Sequence, residues 1–476
     1  MSRSLLCRLV LVVCVLAPGL AAASEPPEDR PKIGLALSGG GAKGCAHVGV
    51  IEVLEEMNIP IDYVAGTSMG SIVGGLYASG MTVDEMKDAL LSVDWTDAFN
   101  DQPNRKDLSF RRKEDDARYL FDFQLGLRRG KVLWPTGLIS GQKLFFILRS
   151  LTLPVSSIDD FDELPVPFRA VATDIESGEM VVLDKGDLAR ALRASMALPG
   201  IFSSVDLDGR RLVDGGVVNN LPIDIVRAMG ADIVIAVDLS PDKPVKASGM
   251  VQILGQTTGM ITRSNVRQRL PDADLVLEPA VEPFGLLAFE ETEAIIEAGA
   301  AVTRANADAL RPYAVDEASF RAHLAARPIP PDPPATLDYV QFRGAERVDD
   351  RIILAQMKSR PGDPLDLDAV AADIGRIFGL GDFSAVDASL VSGEGPNGEI
   401  EHSLVIDLKE KEWGPNYLQA GLQLESDFEG DGFSLGILTN LTMTHLNARG
   451  AEWRTDFQLG RTRFLLSEFY QPLDFR

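Results

Sequence analysis

Gly66-Thr67-Ser68-Met69-Gly70 sets one serine between two glycines in the order G-x-S-x-G. A serine at a sharp strand-to-helix turn exposes its hydroxyl, and the helix start beside it favours negative charge. Such a nucleophile needs a base. The chain has four histidines, His47, His323, His402 and His445. His47 lies just inside the first predicted helix and reads as a packed or capping residue. The other three lie beyond the α/β core. A Ser-His-Asp triad is therefore poorly supported, and the base should be a carboxylate. Asp214-Gly215-Gly216 offers one, after a tight hairpin predicted over 205–213 with its turn at Asp208-Gly209. The glycines would let Asp214 reach the serine hydroxyl, although Asp-Gly is also common in ordinary turns. A carboxylate with a pKa of about 4 is a weak base, so it needs partial desolvation and close geometry with oxyanion donors.

The donors are expected in Ser38-Gly39-Gly40-Gly41-Ala42-Lys43-Gly44. Consecutive glycines let the backbone approach a ligand, and N–H groups at a helix start can hold a phosphate or a developing oxyanion. Gly39, Gly41 and Gly44 also satisfy G-x-G-x-x-G. A dinucleotide site would expect an acidic residue about 20 positions on, at the far end of the second strand. Asp62 is near in count but begins that strand. A P-loop fails because Lys43 precedes Gly44.

The elements that must position these residues alternate. Ile33–Leu37, Ile61–Ala65, Phe168–Ala172 and Ile233–Val237 are short apolar runs, as in buried parallel strands. His47–Met57 has apolar residues at helical spacing, and a second helix is expected to run to about Ala78. This order predicts an α/β sheet with helices on its faces. Residues 243–325 look mainly helical and polar, with no chemistry read in them. Leu144-Phe145-Phe146-Ile147-Leu148 reads as core rather than an acyl-chain groove. Arg111-Arg112-Lys113 and Arg128-Arg129-Gly130-Lys131 read as solvated surface rather than a lipid-phosphate contact.

The chain has 476 residues and a formal net charge of -24, with a pI near 4.6. So acidic a chain repels phosphate backbones, which argues against general nucleic-acid binding. Arg3 and Arg8, the apolar run Leu9–Leu16 and Ala21-Ala22-Ala23 match a secretory signal over residues 1–23, with cleavage after Ala23. A retained anchor helix is the alternative, but the run is short for a bilayer. Cleavage removes Cys7 and Cys14, leaving Cys45 without a disulfide partner or a cysteine metal cluster.

Ala326–Ala335 holds five prolines in ten residues, which predicts an extended linker over about 326–336. Beyond it, a strand at Tyr339–Phe342, a helix at Asp366–Phe378 and a strand at Leu404–Leu408 outline a small α+β module. Residues 413–476 alternate with period two in Phe433–Met443 and Glu452–Gly460, around turns at 429–432 and 447–450. That pattern describes antiparallel hairpins, either one face of a soluble sheet or the outer face of a membrane barrel. A barrel needs about eight strands of roughly ten residues. These 64 residues cannot close one, so more chain beyond Arg476 or pairing elsewhere is expected.

The glycine loop, the serine turn and the aspartate, in this order, resemble the patatin-like phospholipases. Ala194-Ser195-Met196-Ala197-Leu198-Pro199-Gly200-Ile201-Phe202 is similar to the family's A-S-x-x-x-P-x-x-F segment. The likeness spans a motif core at 33–240 within an enzyme domain of 24–325. It implies a Ser68 nucleophile and an Asp214 proton acceptor, with Gly39, Gly40 and Gly41 presenting oxyanion N–H groups. Lys43, Gly44, Gly66, Gly70, Gly215 and Gly216 would support these motifs. The implied reaction is acyl-ester hydrolysis of glycerophospholipids through an acyl-serine, with no metal and no cofactor. Residues 337–412 resemble a POTRA module, and 413–476 the first strands of an outer-membrane barrel. The combination resembles patatin-type autotransporters. It implies export across the inner membrane, an outer-membrane, cell-surface or secreted location, and a membrane surface as partner. A homodimer and the outer-membrane assembly machinery are further expected partners. The competing reading is an outer-membrane transport or assembly module with a non-catalytic passenger.

Overall fold

The computed structural model describes residues 30–100, 105–108, 112–113, 124–128, 131–133, 139–240, 250–330, 335–394, 400–426 and 433–475. The expected export signal, residues 331–334 of the proline-rich linker, Arg111, Arg129, Gly130 and the turn at 429–432 lie outside the described residues.

The first sheet is mostly parallel. Strands β1 (Ile33–Leu37), β2 (Tyr63–Thr67), β5 (Phe168–Asp174), β9 (Ile233–Val237) and β10 (Leu275–Leu277) pair in the order β10-β9-β1-β2-β5. Strands β8 (Arg210–Asp214) and β7 (Val205–Leu207) extend that order antiparallel to β5, and β6 (Met180–Leu183) pairs with β5 as well. Every residue of β1 is buried, because helices cover both faces. Leu35 and Leu37 face one core with helices α1 (Ala46–Glu56) and α2 (Met69–Ala78), while Ala36 faces another with Val226 and Val266.

Strand β2 starts two residues later than its apolar run predicts. The Asp62 carboxylate accepts the Ile33 N–H at 2.8 Å and pairs with Arg30 at 2.6 Å, so it closes the edge where the strand begins. A ribose-binding acid would stand at the opposite end. The hairpin β7–β8 turns at Asp208 and Gly209, with φ of 50° and 74°, the geometry that an Asp-Gly turn supplies. Helices α3 (Val83–Ser92) and α4 (Trp95–Asn100) lead on to α5 (Gln142–Thr152) and α6 (Leu188–Ser195). Helices α7 (Ile223–Ala228), α8 (Met250–Arg269), α9 (Thr292–Ala305) and α10 (Glu317–Ala325) follow. The region read as helical and polar thus also supplies β10, whose three residues are too few to show a period.

A second sheet, β11 (Tyr339–Arg343), β13 (Ile400–Glu410) and β12 (Phe383–Glu394), packs on α11 (Asp350–Gln356) and α12 (Leu367–Phe378). Asp366 caps α12 rather than joining it, accepting the Ala369 N–H at 3.1 Å. In α5, Leu144 and Leu148 are core, as expected, and Phe146 packs against this second module.

The third sheet is antiparallel. Strands β14 (Asn416–Ser426), β15 (Phe433–Met443), β16 (Glu452–Leu459) and β17 (Phe464–Tyr470) are joined by β3 (Gln124–Arg128) and β4 (Lys131–Leu133) in the order β17-β16-β15-β14-β3-β4. The edge of β14 therefore pairs with a hairpin from inside the first domain, Tyr417 opposite Gly126 and Gln419 opposite Gln124. Arg112 is not solvated surface: its guanidinium reaches the Leu380 carbonyl and Glu452, each at 3.2 Å. The reason is the same inter-module packing, which places a cation between two folded neighbours. Polarity in this sheet is inverted. Gln419, Asn440 and Asp456 lie in register and are buried, whereas Ile437, Trp453, Phe457 and Leu459 on the other face are exposed.

Candidate active site

Ser68 stands between β2 and α2 with φ 54° and ψ -125°, a region that side chains rarely adopt. The glycines beside it are required by space. A Cβ at Gly66 would sit 2.3 Å from the Gly70 carbonyl oxygen, and one at Gly70 would sit 2.5 Å from that of Leu37. The strained backbone is held from both ends. The Ser68 N–H donates to the Ser195 hydroxyl at 3.0 Å, which itself donates to the Val171 carbonyl at 2.6 Å. The Ser68 carbonyl accepts from the Ser71 hydroxyl at 2.6 Å.

Asp214 ends β8, beside Ala172 of β5. Its N–H donates to the Ala197 carbonyl at 2.9 Å, and its carbonyl accepts from the Thr173 hydroxyl at 3.0 Å. Its carboxylate accepts the Gly216 N–H at 2.7 Å, and the Ser68 side chain lies near enough to lower its pKa. Burial pushes its pKa up to about 6, against the pull of Ser68 and of the Gly216 N–H. Gly215 is required here, since a Cβ would come 2.2 Å from the Val171 carbonyl oxygen. The structure thus brings Ser68 beside Asp214. A carboxylate at about 6 is ionised at neutral pH and is a stronger base than an exposed one.

No histidine hydrogen-bonds to Ser68 or Asp214 among the described residues. His47 is buried, gives its Nε2 proton to the Ser38 carbonyl at 2.8 Å, and is pushed down to about 4 by that burial. It is a packed neutral side chain supporting the glycine loop. His323 contacts Arg30 at 3.2 Å, and His445 pairs with Asp382 at 3.0 Å, both on other surfaces.

The glycine loop needs one correction. The Gly39 N–H is given to the Asn220 carbonyl at 3.2 Å, so it is committed within the protein. Gly40 and Gly41 keep N–H groups without an acceptor among the described residues, because the short helical turn Gly41–Cys45 begins there and the first donors of a helix have none inside it. Gly41 has φ 57°, and a Cβ on it would meet the Leu286 carbonyl oxygen at 2.3 Å. Gly44 lets the loop lie on α2, where a Cβ would stand 2.4 Å from Met69 Cγ. Lys43 is buried, and that burial lowers its pKa against the field of Glu282.

Two asparagines were absent from the sequence reading. The Asn220 side-chain amide donates to the Gly39 carbonyl at 3.2 Å. Asn265 of α8 accepts the Asn220 N–H at 3.1 Å and donates to the Gly216 carbonyl at 3.0 Å. Together they tie the glycine loop to the aspartate turn. Asn220 had a weak signal in its place six residues past Asp214. Asn265 had none, since it lies in a helix whose pattern names no ligand.

A family model for patatin-like phospholipases matches residues 35–227, and one for the surface antigen variable number repeat, POTRA, matches 335–411. An uncharacterized NTE family protein of Mycobacterium tuberculosis is 33% identical over 223 residues, 47% of this chain and 53% of that one. A lysophospholipase of Mycosarcoma maydis is 32% identical over 296 residues, 56% of this chain and 14% of that one. The crystal structure of VipD from Legionella pneumophila aligns with TM-score 0.30 and 16% identity, over 62% of this chain and 74% of that chain. The chain spans about half, or less, of the length of these curated relatives. It carries a patatin-like phospholipase domain followed by a POTRA domain.

Proposed function

We propose that the chain is a serine lipid acyl hydrolase that cleaves acyl esters of glycerophospholipids. The observation that carries this reading is the Ser68 side chain set beside the buried Asp214 carboxylate, whose pKa it lowers, at a strained turn that opens a helix. Asp214 takes the hydroxyl proton as Ser68 Oγ attacks the ester carbonyl. The N–H groups of Gly40 and Gly41 and the start of α2 stabilise the oxyanion. Asp214 then returns the proton to the departing alkoxide, and an acyl-serine remains. Water activated by the same carboxylate releases the fatty acid and restores Ser68. Matches to a phospholipase family and to a protein named lysophospholipase favour a lipid ester as substrate.

The test is release of fatty acid from phospholipid vesicles by the unsubstituted chain and by Ser68→Ala. Undiminished release by a folded Ser68→Ala chain overturns the reading.

The location we propose is the outer membrane, reached by export. The inverted third sheet supports it, because an apolar outer face over buried polar residues is what a barrel wall presents to lipid. The POTRA match favours a second reading, an assembly module with a passive passenger. A fluorophosphonate probe separates the two, since a passive passenger leaves Ser68 unlabelled.

A further inference from the structure

We infer that the POTRA module positions the catalytic dyad through helix α6, with Asp387 and Arg190 as positioning residues. The inference rests on the reading of Ser68 as nucleophile and Asp214 as base.

Helix α6 is an eight-residue rod, roughly 12 Å long at 1.5 Å per residue. Its C-terminal end holds both reacting residues by their backbones. Ser195 accepts the Ser68 N–H at 3.0 Å, and Ala197, two residues on, accepts the Asp214 N–H at 2.9 Å. Its N-terminal end is held by the other module. Asp387 of β12 takes Arg149 through both oxygens, at 2.9 and 3.0 Å, and takes Arg190 Nε at 2.9 Å. Arg190 reaches on to Asp407 of β13 at 2.8 Å. Arg149 also pairs with Asp187, the cap of α6, whose other oxygen accepts the Arg190 N–H at 2.8 Å. Gln142 of α5 brackets the neighbouring residue of β12, accepting the Val386 N–H at 2.8 Å and donating to the Val386 carbonyl.

A purely adhesive interface is served better by apolar contact. Burying charges is costly, and replacing such networks with packed apolar groups is often neutral or stabilising. A charged network instead fixes register, because every partner must sit at one place. Here it fixes the start of the helix whose end sets the Ser68 turn and the Asp214 backbone. A shift of β12 carries Asp387 with it and turns α6 under the dyad.

The experiment uses the full-length chain and a fluorophosphonate, reading the maximal labelling rate at Ser68 apart from the probe's affinity. Arg190→Gln should lower the maximal rate about tenfold, near 1.4 kcal/mol, with affinity unchanged. Arg190→Lys, which keeps the charge, should recover part of it. Asp387→Asn should act in the same direction. If that buried change prevents folding, Asp407→Asn replaces it, at a side chain 29% exposed. Folded Arg190→Gln and Asp407→Asn chains that label at the unsubstituted rate overturn the inference. So does a loss that only tracks the folded fraction, or one confined to probe affinity. An unsubstituted chain that is not labelled at Ser68 overturns the reading beneath it, and the inference falls with it.

Discussion

Asn220 grips Gly39 from both sides: its carbonyl takes the glycine N–H, and its side-chain amide donates to the glycine carbonyl, each at 3.2 Å. A Cβ on Gly39 would come within 2.9 Å of Ser68 Cβ, so this grip sets the loop directly against Ser68.

Asn220→Ala should therefore reduce kcat more than it raises KM. The donors it aligns are those proposed to act on the oxyanion, and a misplacement of about 1 Å costs roughly 100-fold. Steady-state kinetics on a phospholipid or short-chain ester check this. A change in KM alone would show that Asn220 shapes substrate binding instead.

Activity should rise with pH and level off above a midpoint near 6, because the proposed base Asp214 must be ionised to accept the Ser68 proton and its pKa is pushed up to about 6 by burial. A kcat/KM profile from pH 4.5 to 8 reads the midpoint. A limb centred near 7.5 would point to a different base.

The same residue makes a stability prediction. Folding raises the Asp214 pKa from 3.8 to about 6, so the protonated form is favoured in the native state. Its stabilising contribution is complete below 3.8 and is lost as pH rises through about 6. At pH 8 the buried carboxylate costs about 3 kcal/mol, by 1.36 kcal/mol per pKa unit. Asp214→Asn should abolish turnover and yet melt higher than the unsubstituted chain at pH 8, with the difference shrinking toward pH 4. A variant that melts lower at pH 8 would mean that the ionised carboxylate holds its own turn together.

The parts of this site legible in the sequence are those where geometry restricts residue type. Gly66, Gly70 and Gly215 sit where a Cβ would meet backbone within 2.5 Å, so the glycines had to appear at those spacings. Strands β1 and β9 were equally legible, being buried on both faces and hence uniformly apolar. What escaped depends on packing between distant segments. Asn220 reaches the Gly39 carbonyl across 181 residues, and Asn265 reaches Gly216 across 49. The β3 pairing with β14 depends on a five-residue strand too short to carry a period of its own. Arg112 read as surface because a basic cluster on an acidic chain looks solvated until its partner Glu452 is brought beside it.

The third sheet supplies the last prediction. Phe457 is 46% exposed and Trp453 likewise 46%, while Asp456 on the opposite face of the same strand is 2% exposed and bonded to Asn440 and Arg454. A sheet in water would bury the aromatics, because apolar burial yields about 25 cal/mol per Å². The opposite arrangement is stable where lipid faces the aromatics. Phe457→Arg should then cost about 2–4 kcal/mol of membrane insertion, and the chain should leave the urea-resistant outer-membrane fraction on cell fractionation. Asp208→Arg, at the exposed turn of the first domain, should leave fractionation unchanged. Equal membrane recovery of Phe457→Arg and the unsubstituted chain would place that face against protein or water instead.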